Sequence, residues 1–390
     1  MAESSKIGLP DDPISQILRS CVLLAKTGKA MGHAIEVTQN ATTQSHIARD
    51  SVNVILVIGE SYIKSHCQSY GYPLPTSPQL QRLKDEGSLT IFNDVVAPDN
   101  STSTTIKNML CCNSIGEGES WYDSPFFPAI FNEAGYDVYF WDNQHDCAPK
   151  AEYSFALNSF IYNRGIERFY TATNRESFEF DEDIVTSFKN DVHRKKAANL
   201  VIFHLMGQHL DAAERFPHEE QYIRFHKEDV KRDEDYINEE ARQRIADYDN
   251  ATFYNDHVMA EIIELFKDVE SVMVYLSDHG EEVYDFRDHY GRDHSPVISP
   301  SCAKYQFGIP FMIWCSDCYS EKHPEVVQRI KDSANKPFMS DNLCQVLFYL
   351  GGIQTPFYFE DRNILSPKYR CAPRIIGERA DYDKLMERVQ

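Results

Sequence analysis

Five short apolar runs punctuate the chain: residues 52–58 (VNVILVI), 136–141 (YDVYFW), 200–206 (LVIFHLM), 271–276 (SVMVYL) and 309–314 (IPFMIW). They are rich in β-branched and aromatic residues and nearly continuous, so they predict strands covered on both faces. Between them, apolar residues return at helical spacing over 77–86, 125–134, 182–196, 248–267 and 325–332. Strand and helix alternate. That order predicts an α/β fold, a three-layer α/β/α sandwich around a mostly parallel central sheet.

The remaining stretches read differently. Residues 1–50 are mixed and polar, with a short helix expected over 14–24, and read as a lead-in or connector. Residues 218–247 are dense in both charge signs and poor in large aliphatics, which predicts a solvated helical excursion. The rest, 51–375, reads as one large α/β domain followed by a C-terminal tail, 376–390.

Composition narrows the functions. Sixty acidic residues against thirty-nine basic ones give a net charge of −21. Such a surface repels nucleic-acid phosphates and argues against a polybasic membrane anchor. No run approaches the 18 or so apolar residues that a spanning helix needs, and the first nine residues lack a signal-peptide layout. Ten cysteines without paired zinc-finger spacing suggest an oxidising compartment with some disulfides, their pairing left open.

In open parallel sheets, ligands bind beyond the carboxyl ends of the strands. Gly59-Glu60-Ser61 follows the first run; His204 lies in the third, with Gly207-Gln208-His209 after it; Asp278-His279-Gly280-Glu281 follows the fourth. His289 and His294 sit in the loop beyond, RDHYGRDHSP. Carboxylate and imidazole at three strand ends on one edge suit zinc, which takes nitrogen and oxygen ligands in tetrahedral array. Asn100 to Thr105 (NSTSTT) precedes a helical segment, and its hydroxyls sit where orphan backbone N–H groups favour a phosphate. Serine and threonine are also ordinary N-caps, and only a neighbouring metal would make one a nucleophile.

With these residues in place, the chain resembles the soluble catalytic domain of phosphoethanolamine transferases in the alkaline phosphatase/sulfatase superfamily. Five segments carry the resemblance over roughly 52–361: VILVIGES with YGYPLPTSPQL, FNDVVAPDNSTSTTIKNML, HLMGQH with RFP, YDNATFYNDHV, and LSDHGEE. It implies an alkaline phosphatase/sulfatase-like fold and one zinc ion held by Glu60, Thr102, Asp278 and His279, with a second zinc as an option. Thr102, favoured over Thr104 by ungapped flanks, is then the nucleophile that carries phosphoethanolamine. His209 faces the substrate phosphate or the second zinc. Of the loop histidines, His294 is favoured over His289 as the active-site one. Asn100, His204 and Glu281 fall near the substrate.

The resemblance further implies phosphatidylethanolamine as donor and lipid A, core oligosaccharide or another glycan as acceptor. The setting is the periplasmic face of the bacterial inner membrane, with a membrane domain outside this chain. Sulfatases carry C/S-x-P-x-R, which Cys147-Ala-Pro-Lys-Ala and Cys371-Ala-Pro-Arg-Ile both lack. A phosphoglycerol transferase, a hydrolase with the same residues, and a non-catalytic headgroup-binding domain remain the alternatives.

Overall fold

The computed structural model describes residues 28–41, 44–48, 52–144, 161–174, 176–191, 198–293 and 295–388. The helix expected over 14–24, and His294, lie outside the described residues.

Seven strands form the central sheet: β1 Asn53–Gly59, β2 Leu89–Phe92, β3 Asp137–Asp142, β4 Ala172–Thr173, β5 Asn199–His204, β6 Ser271–Ser277 and β7 Phe311–Cys315. Their order is β2-β7-β6-β1-β5-β3-β4. The run from β6 to β4 is parallel throughout, whereas β7 is antiparallel to both its neighbours. The five predicted strands are all present and lie in the interior of the sheet or beside its edge. The short edge strands β2 and β4 were not predicted.

Among the described residues, the helices that flank the sheet include α1 Pro78–Glu86, α2 Thr102–Leu110, α3 Phe127–Ala134, α4 Asp181–Asn190, α5 Glu239–Phe266, α6 Pro324–Asp332 and α7 Leu343–Leu350. The pleat sends alternate residues to opposite faces, which separates two cores. Val54, Leu56 and Ile58 of β1 pack with Ile106, Phe131, Ile330 and Leu347 on the side of α2, α3, α6 and α7. Ile55 and Val57 pack with Leu80, Phe188, Val258 and Ile262 on the side of α1, α4 and α5. The result is the expected three-layer α/β/α arrangement.

The charged stretch departs from expectation. Residues 218–238 form no α-helix, only a 3-10 turn at Lys227–Asp229, and α5 begins at Glu239. Side chains of α5 satisfy this backbone in place of a helical ladder. Asn250 Oδ1 accepts from the amides of Arg224 and Phe225, and Arg242 donates to the carbonyls of Val230 and Arg232. At the other end, residues 375–376 and 380–381 form a small hairpin leading to a short helix, Tyr382–Met386. Its anchor is Arg374, buried and ion-paired with both Asp94 and Asp383. Among the described residues, no helix is long and apolar enough to cross a membrane.

Candidate metal centre

Sheet register brings the site together. Ile58 pairs with His204 and His204 with Asp142, while Gly59 pairs with Ser277. The carboxyl ends of β3, β5, β1 and β6 therefore stand in one row. Beyond that row the chain is pinned strand to strand: the amides of Gln208 and Asp278 bond the carbonyls of Glu60 and Gly59. Gly207 has φ +52°, and a Cβ there would stand 2.8 Å from both N and O of Glu60, so a side chain has no room. The buried Asp181 carboxylate accepts from the amides of Met206 and Gly207 and fixes that turn.

Glu60, Asp278 and His279 are fully buried, and their ligand atoms lie within 4.8 Å of one another. His279 Nε2 is 3.1 Å from Glu60 Oε1 and 3.2 Å from Asp278 Oδ2. Thr102 Oγ1, at the first position of α2, donates to Glu60 Oε2 at 3.0 Å and lies 3.2 Å from His279 Nε2. Four ligands on a tetrahedral ion with bonds of about 2.0 Å sit about 3.3 Å apart. The observed spacings match that edge length.

Hydrogen bonding sets the donors. The Nδ1 of His279 is 2.8 Å from the Gly280 carbonyl oxygen, so Nδ1 carries the hydrogen and Nε2 is left as the acceptor. Asp278 Oδ1 accepts from the amides of Ser61 and His279, while Oδ2 is buried with no hydrogen-bond partner among the described residues. Burial and the Glu60 charge push Asp278 up to about 7. Against burial, which alone raises a carboxyl, the His279 and His209 charges hold Glu60 well below the usual carboxylate range. Two buried carboxylates this close repel each other when both are ionised, and a cation between them relieves that repulsion. The donor set therefore fits a divalent ion.

A second layer holds the ligands. Gln144 Nε2 and the Ser61 hydroxyl both donate to Glu60. Ser61 has φ 57°, unusual for a residue with a side chain, and Tyr248 clamps it. The phenol of Tyr248 donates to the Ser61 carbonyl at 2.6 Å and accepts from the Ile63 amide. Beside it, His66 Nδ1 is 2.6 Å from Asp249 Oδ1, and Tyr72 donates to the other oxygen.

The other expected residues are placed as follows. His204 is buried, with Nδ1 2.9 Å from Asp142 Oδ1 and Nε2 lacking a hydrogen-bond partner among the described residues. Although burial opposes it, the Asp142 charge raises the His204 pKa. His209 is half-buried, and its charge interacts with Glu60, Arg292 and His279; burial lowers its pKa. Glu281 is buried with its carboxyl pushed up by burial, and Oε2 faces Arg292 Nε at 3.7 Å. Asn100 turns its side chain away from Thr102, donating to Gln306 Oε1 and the Asp293 carbonyl. His289 lies in the connection between the paired strands 282–283 and 290–291, and among the described residues no hydrogen bond or ion pair joins its ring to Glu60, Asp278 or His279.

Thr104 does not reach the cluster through a hydrogen bond; its hydroxyl accepts from Ser101. The eight described cysteines are unbridged thiols, and Cys21 and Cys147 lie outside the described residues. Sequence reasoning missed Arg292, Gln144, Asp142 and Tyr248. Asp142 ends β3 and Gln144 stands two residues beyond it, so strand-end position was a usable signal for these two; Tyr248 lies within α5, in the YDN segment.

The family model described as Sulfatase matches residues 52–347, most of the chain. The chain belongs to the sulfatase family. Within it, the chain is similar to phosphoethanolamine transferase EptC of Escherichia coli K12, 28% identical over 346 residues, covering 85% of this chain and 57% of that protein. It is also 27% identical to phosphoethanolamine transferase CptA of Salmonella typhimurium over 93% of this chain and 62% of that protein. The chain thus spans about six tenths of the length of these relatives. Among solved structures, the C-terminal periplasmic domain of E. coli EptC superposes with a TM-score of 0.75 at 26% identity, covering 90% of this chain and 98% of that domain. The same domain in complex with zinc superposes with a TM-score of 0.71, covering 88% and 97%.

Proposed function

We propose that this chain is the catalytic domain of a zinc-dependent phosphoethanolamine transferase that works through a phosphorylated Thr102. The observation that carries the reading is Thr102 Oγ1 at a helix start, 3.0 Å from Glu60 and 3.2 Å from His279, within the buried Glu60–Asp278–His279 cluster. Glu60, Thr102, Asp278 and His279 are the residues that would hold zinc, and the zinc complex of the E. coli EptC domain supports that ion. When bound, zinc supplies a Lewis acid that lowers the hydroxyl's pKa and draws charge from a phosphoryl oxygen.

The chain's own groups do the rest. Thr102 Oγ1 already directs its hydrogen at Glu60 Oε2, so the proton has an acceptor as the oxygen attacks phosphorus. The amides of Thr102, Ser103 and Thr104 precede the first helical bond, made by the Thr105 amide to the Ser101 carbonyl. They face the non-bridging oxygens as that charge builds. The Thr102 O–P bond forms, the bond from phosphorus to the diacylglycerol oxygen breaks, and the leaving oxygen takes a proton from His209 or His204. An acceptor hydroxyl then attacks phospho-Thr102 and gives its proton to that histidine, the Thr102 O–P bond breaks, and the Thr102 oxygen takes its proton back from Glu60 for another cycle. One difficult transfer becomes two displacements.

The relatives' names support phosphoethanolamine as the group moved, and similarity to the Kdo(2)-lipid A phosphoethanolamine transferases of S. typhimurium and E. coli, 24% and 26% identical, favours a lipid A acceptor over other glycans. Phosphatidylethanolamine is the donor we assign, and the periplasmic face of the inner membrane the location, in keeping with the relatives solved as periplasmic domains. The test is incubation of the zinc-loaded protein with phosphatidylethanolamine, with and without lipid A, followed by peptide mass analysis. Thr102 is expected to carry phosphoethanolamine and to lose it to lipid A, and Thr102→Ala is expected to abolish both events. Turnover by Thr102→Ala, or release to water alone when lipid A is present, defeats the reading.

A further inference from the structure

Gln306 is fully buried and sits on a π-helical turn, Ala303–Phe307. Turns of that kind are rare and fall mostly at functional sites. Its main-chain carbonyl accepts from the Gly280 amide at 2.9 Å, beside His279. Its side-chain Oε1 accepts from Asn100 Nδ2 at 2.7 Å and from the Asp293 amide at 3.0 Å. One residue thus ties the turn of Asp278 and His279 to the turn that leads into Thr102. The packing leaves no slack: a Cβ at Gly280 would stand 2.0 Å from the Tyr305 carbonyl oxygen, and the Phe307 carbonyl accepts from the Ala97 amide at 2.7 Å.

A carboxamide can face either way, and Glu282 decides which. Glu282 is fully buried and accepts from Arg287 at both oxygens, from Nε at 2.8 Å and from Nη2 at 2.7 Å. An ion-paired carboxylate only accepts, so Gln306 must turn its amide nitrogen toward it, and Nε2 reaches Glu282 Oε1 at 2.6 Å. Oε1 is left for Asn100 and Asp293. Asn100 must then present Nδ2, which also donates to the Asp293 carbonyl at 3.0 Å. Reversing Gln306 would set donor against donor at two buried contacts.

We propose that Gln306 is a positioning residue for the first displacement: acting through Asn100, it holds Thr102 at its distance from the Asp278–His279 turn, and the Glu282–Arg287 pair fixes which way it faces. This rests on the transferase reading and adds to it a residue outside the metal centre that sets the rate of attack. Thr102 follows Asn100 by two residues, and the backbone around them is braced. Ser101 bonds Asp99 Oδ1 through both amide and hydroxyl, and Thr105 Oγ1 donates to the Asp99 carbonyl. A shift of Asn100 is therefore passed to the nucleophile. In-line attack tolerates little of it, since about 1 Å of misplacement can cost about a hundredfold in rate.

The test follows single-turnover loading of Thr102 from phosphatidylethanolamine, by peptide mass analysis of the zinc-loaded proteins over a range of donor concentrations. Gln306→Glu faces Glu282 with a second carboxylate and is expected to load about a hundredfold more slowly, with half-saturation by the donor changed less than about threefold. Zinc content is expected to match wild type, because the main-chain bond to Gly280 stays in place. The exchanged pair, Gln306→Glu with Glu282→Gln, again sets a donor against an acceptor toward Asn100, Asp293 and position 282, and is expected to recover loading to within about tenfold of wild type. Gln306→Met, uncharged and close in volume, carries the same expectation as Gln306→Glu and takes its place if that variant does not fold. A single variant that loads at the wild-type rate makes Gln306 structural and overturns the proposal. An exchanged pair as slow as the single variant overturns the orienting role of Glu282. A wild-type chain that loads no Thr102 overturns the transferase reading itself, a result distinct from both.

Discussion

Asp278→Asn exchanges one carboxylate oxygen for an amide at the heart of the cluster, and its effect should change sign with metal. Oδ1 keeps its bonds from the Ser61 and His279 amides in the variant. The new amide takes the place of Oδ2, which has no hydrogen-bond partner among the described residues and lies 3.2 Å from the acceptor His279 Nε2. No structural bond is lost. The electrostatic gain follows from linkage: burial and Glu60 raise the Asp278 pKa from 3.8 to about 7. A carboxyl raised this way holds its proton longer in the native state, so stability falls as pH climbs through that window and the loss is complete above it. At about 1.4 kcal/mol per pH unit the ceiling is about 4 kcal/mol.

In chelator at pH 8, Asp278→Asn is therefore expected to be more stable than wild type by about 2 kcal/mol or more, read from urea denaturation. At pH 4 the two should match. With zinc at about a hundredfold over its Kd, wild type gains about 2.7 kcal/mol and the variant little of it. A variant less stable than wild type in chelator at pH 8 would refute the reasoning, since it would make Asp278 a structural ion-pair partner rather than a ligand held ready for a cation.

Two further outcomes follow from the surrounding layer. Tyr248→Phe leaves the Ser61 carbonyl and the Ile63 amide without their phenol partner in a buried setting. The expected loss is about 2–4 kcal/mol in chelator, with weaker zinc binding as the Glu60–Ser61 turn loosens; a loss under about 0.5 kcal/mol rejects the clamp. Asp142→Asn removes the largest of the charges that raise the His204 pKa, and with burial still opposing the charged form His204 should titrate lower than in wild type. Long-range proton–nitrogen NMR of the imidazole reads this directly, and an unmoved titration rules out Asp142 as the cause. In wild type the His204–Asp142 attraction is present below the unfolded histidine pKa and fades as pH rises through the raised one.

The interior of the sheet was legible because strands covered on both faces carry apolar residues along their whole middle; in β1, β3, β5 and β6 the polar residues fall at the strand ends, and β7 has none. The edges were not. β2 has only four residues, buried at its two ends and half-buried between them, and β4 has two half-buried residues, too little pattern to separate from a loop. Direction was hidden as well: nothing in FMIWC says that β7 runs against its neighbours, because both orientations bury the same side chains. Helix α7, LCQVLFYL, is buried almost all round and so shows no polar face from which to read a period. Residues 218–238 failed for the opposite reason, since charge density reports solvation and says nothing of whether backbone bonds close locally or onto Asn250 and Arg242.

The site divides along the same line. Glu60, Asp278 and His279 sit within two residues of a strand end, and parallel register carries every such position to one edge, so sequence position alone is nearly a coordinate. Arg292 lies in a loop, where position says little, and zinc chemistry points to the histidines of that loop. The loop RDHYGRDHSP also contains two arginines. Arg287 is spent on the buried Glu282 and on Asp293, whereas Arg292 stands 2.7 Å from His279 Nε2 and 3.3 Å from the Asn100 carbonyl oxygen, a place that no strand end marks.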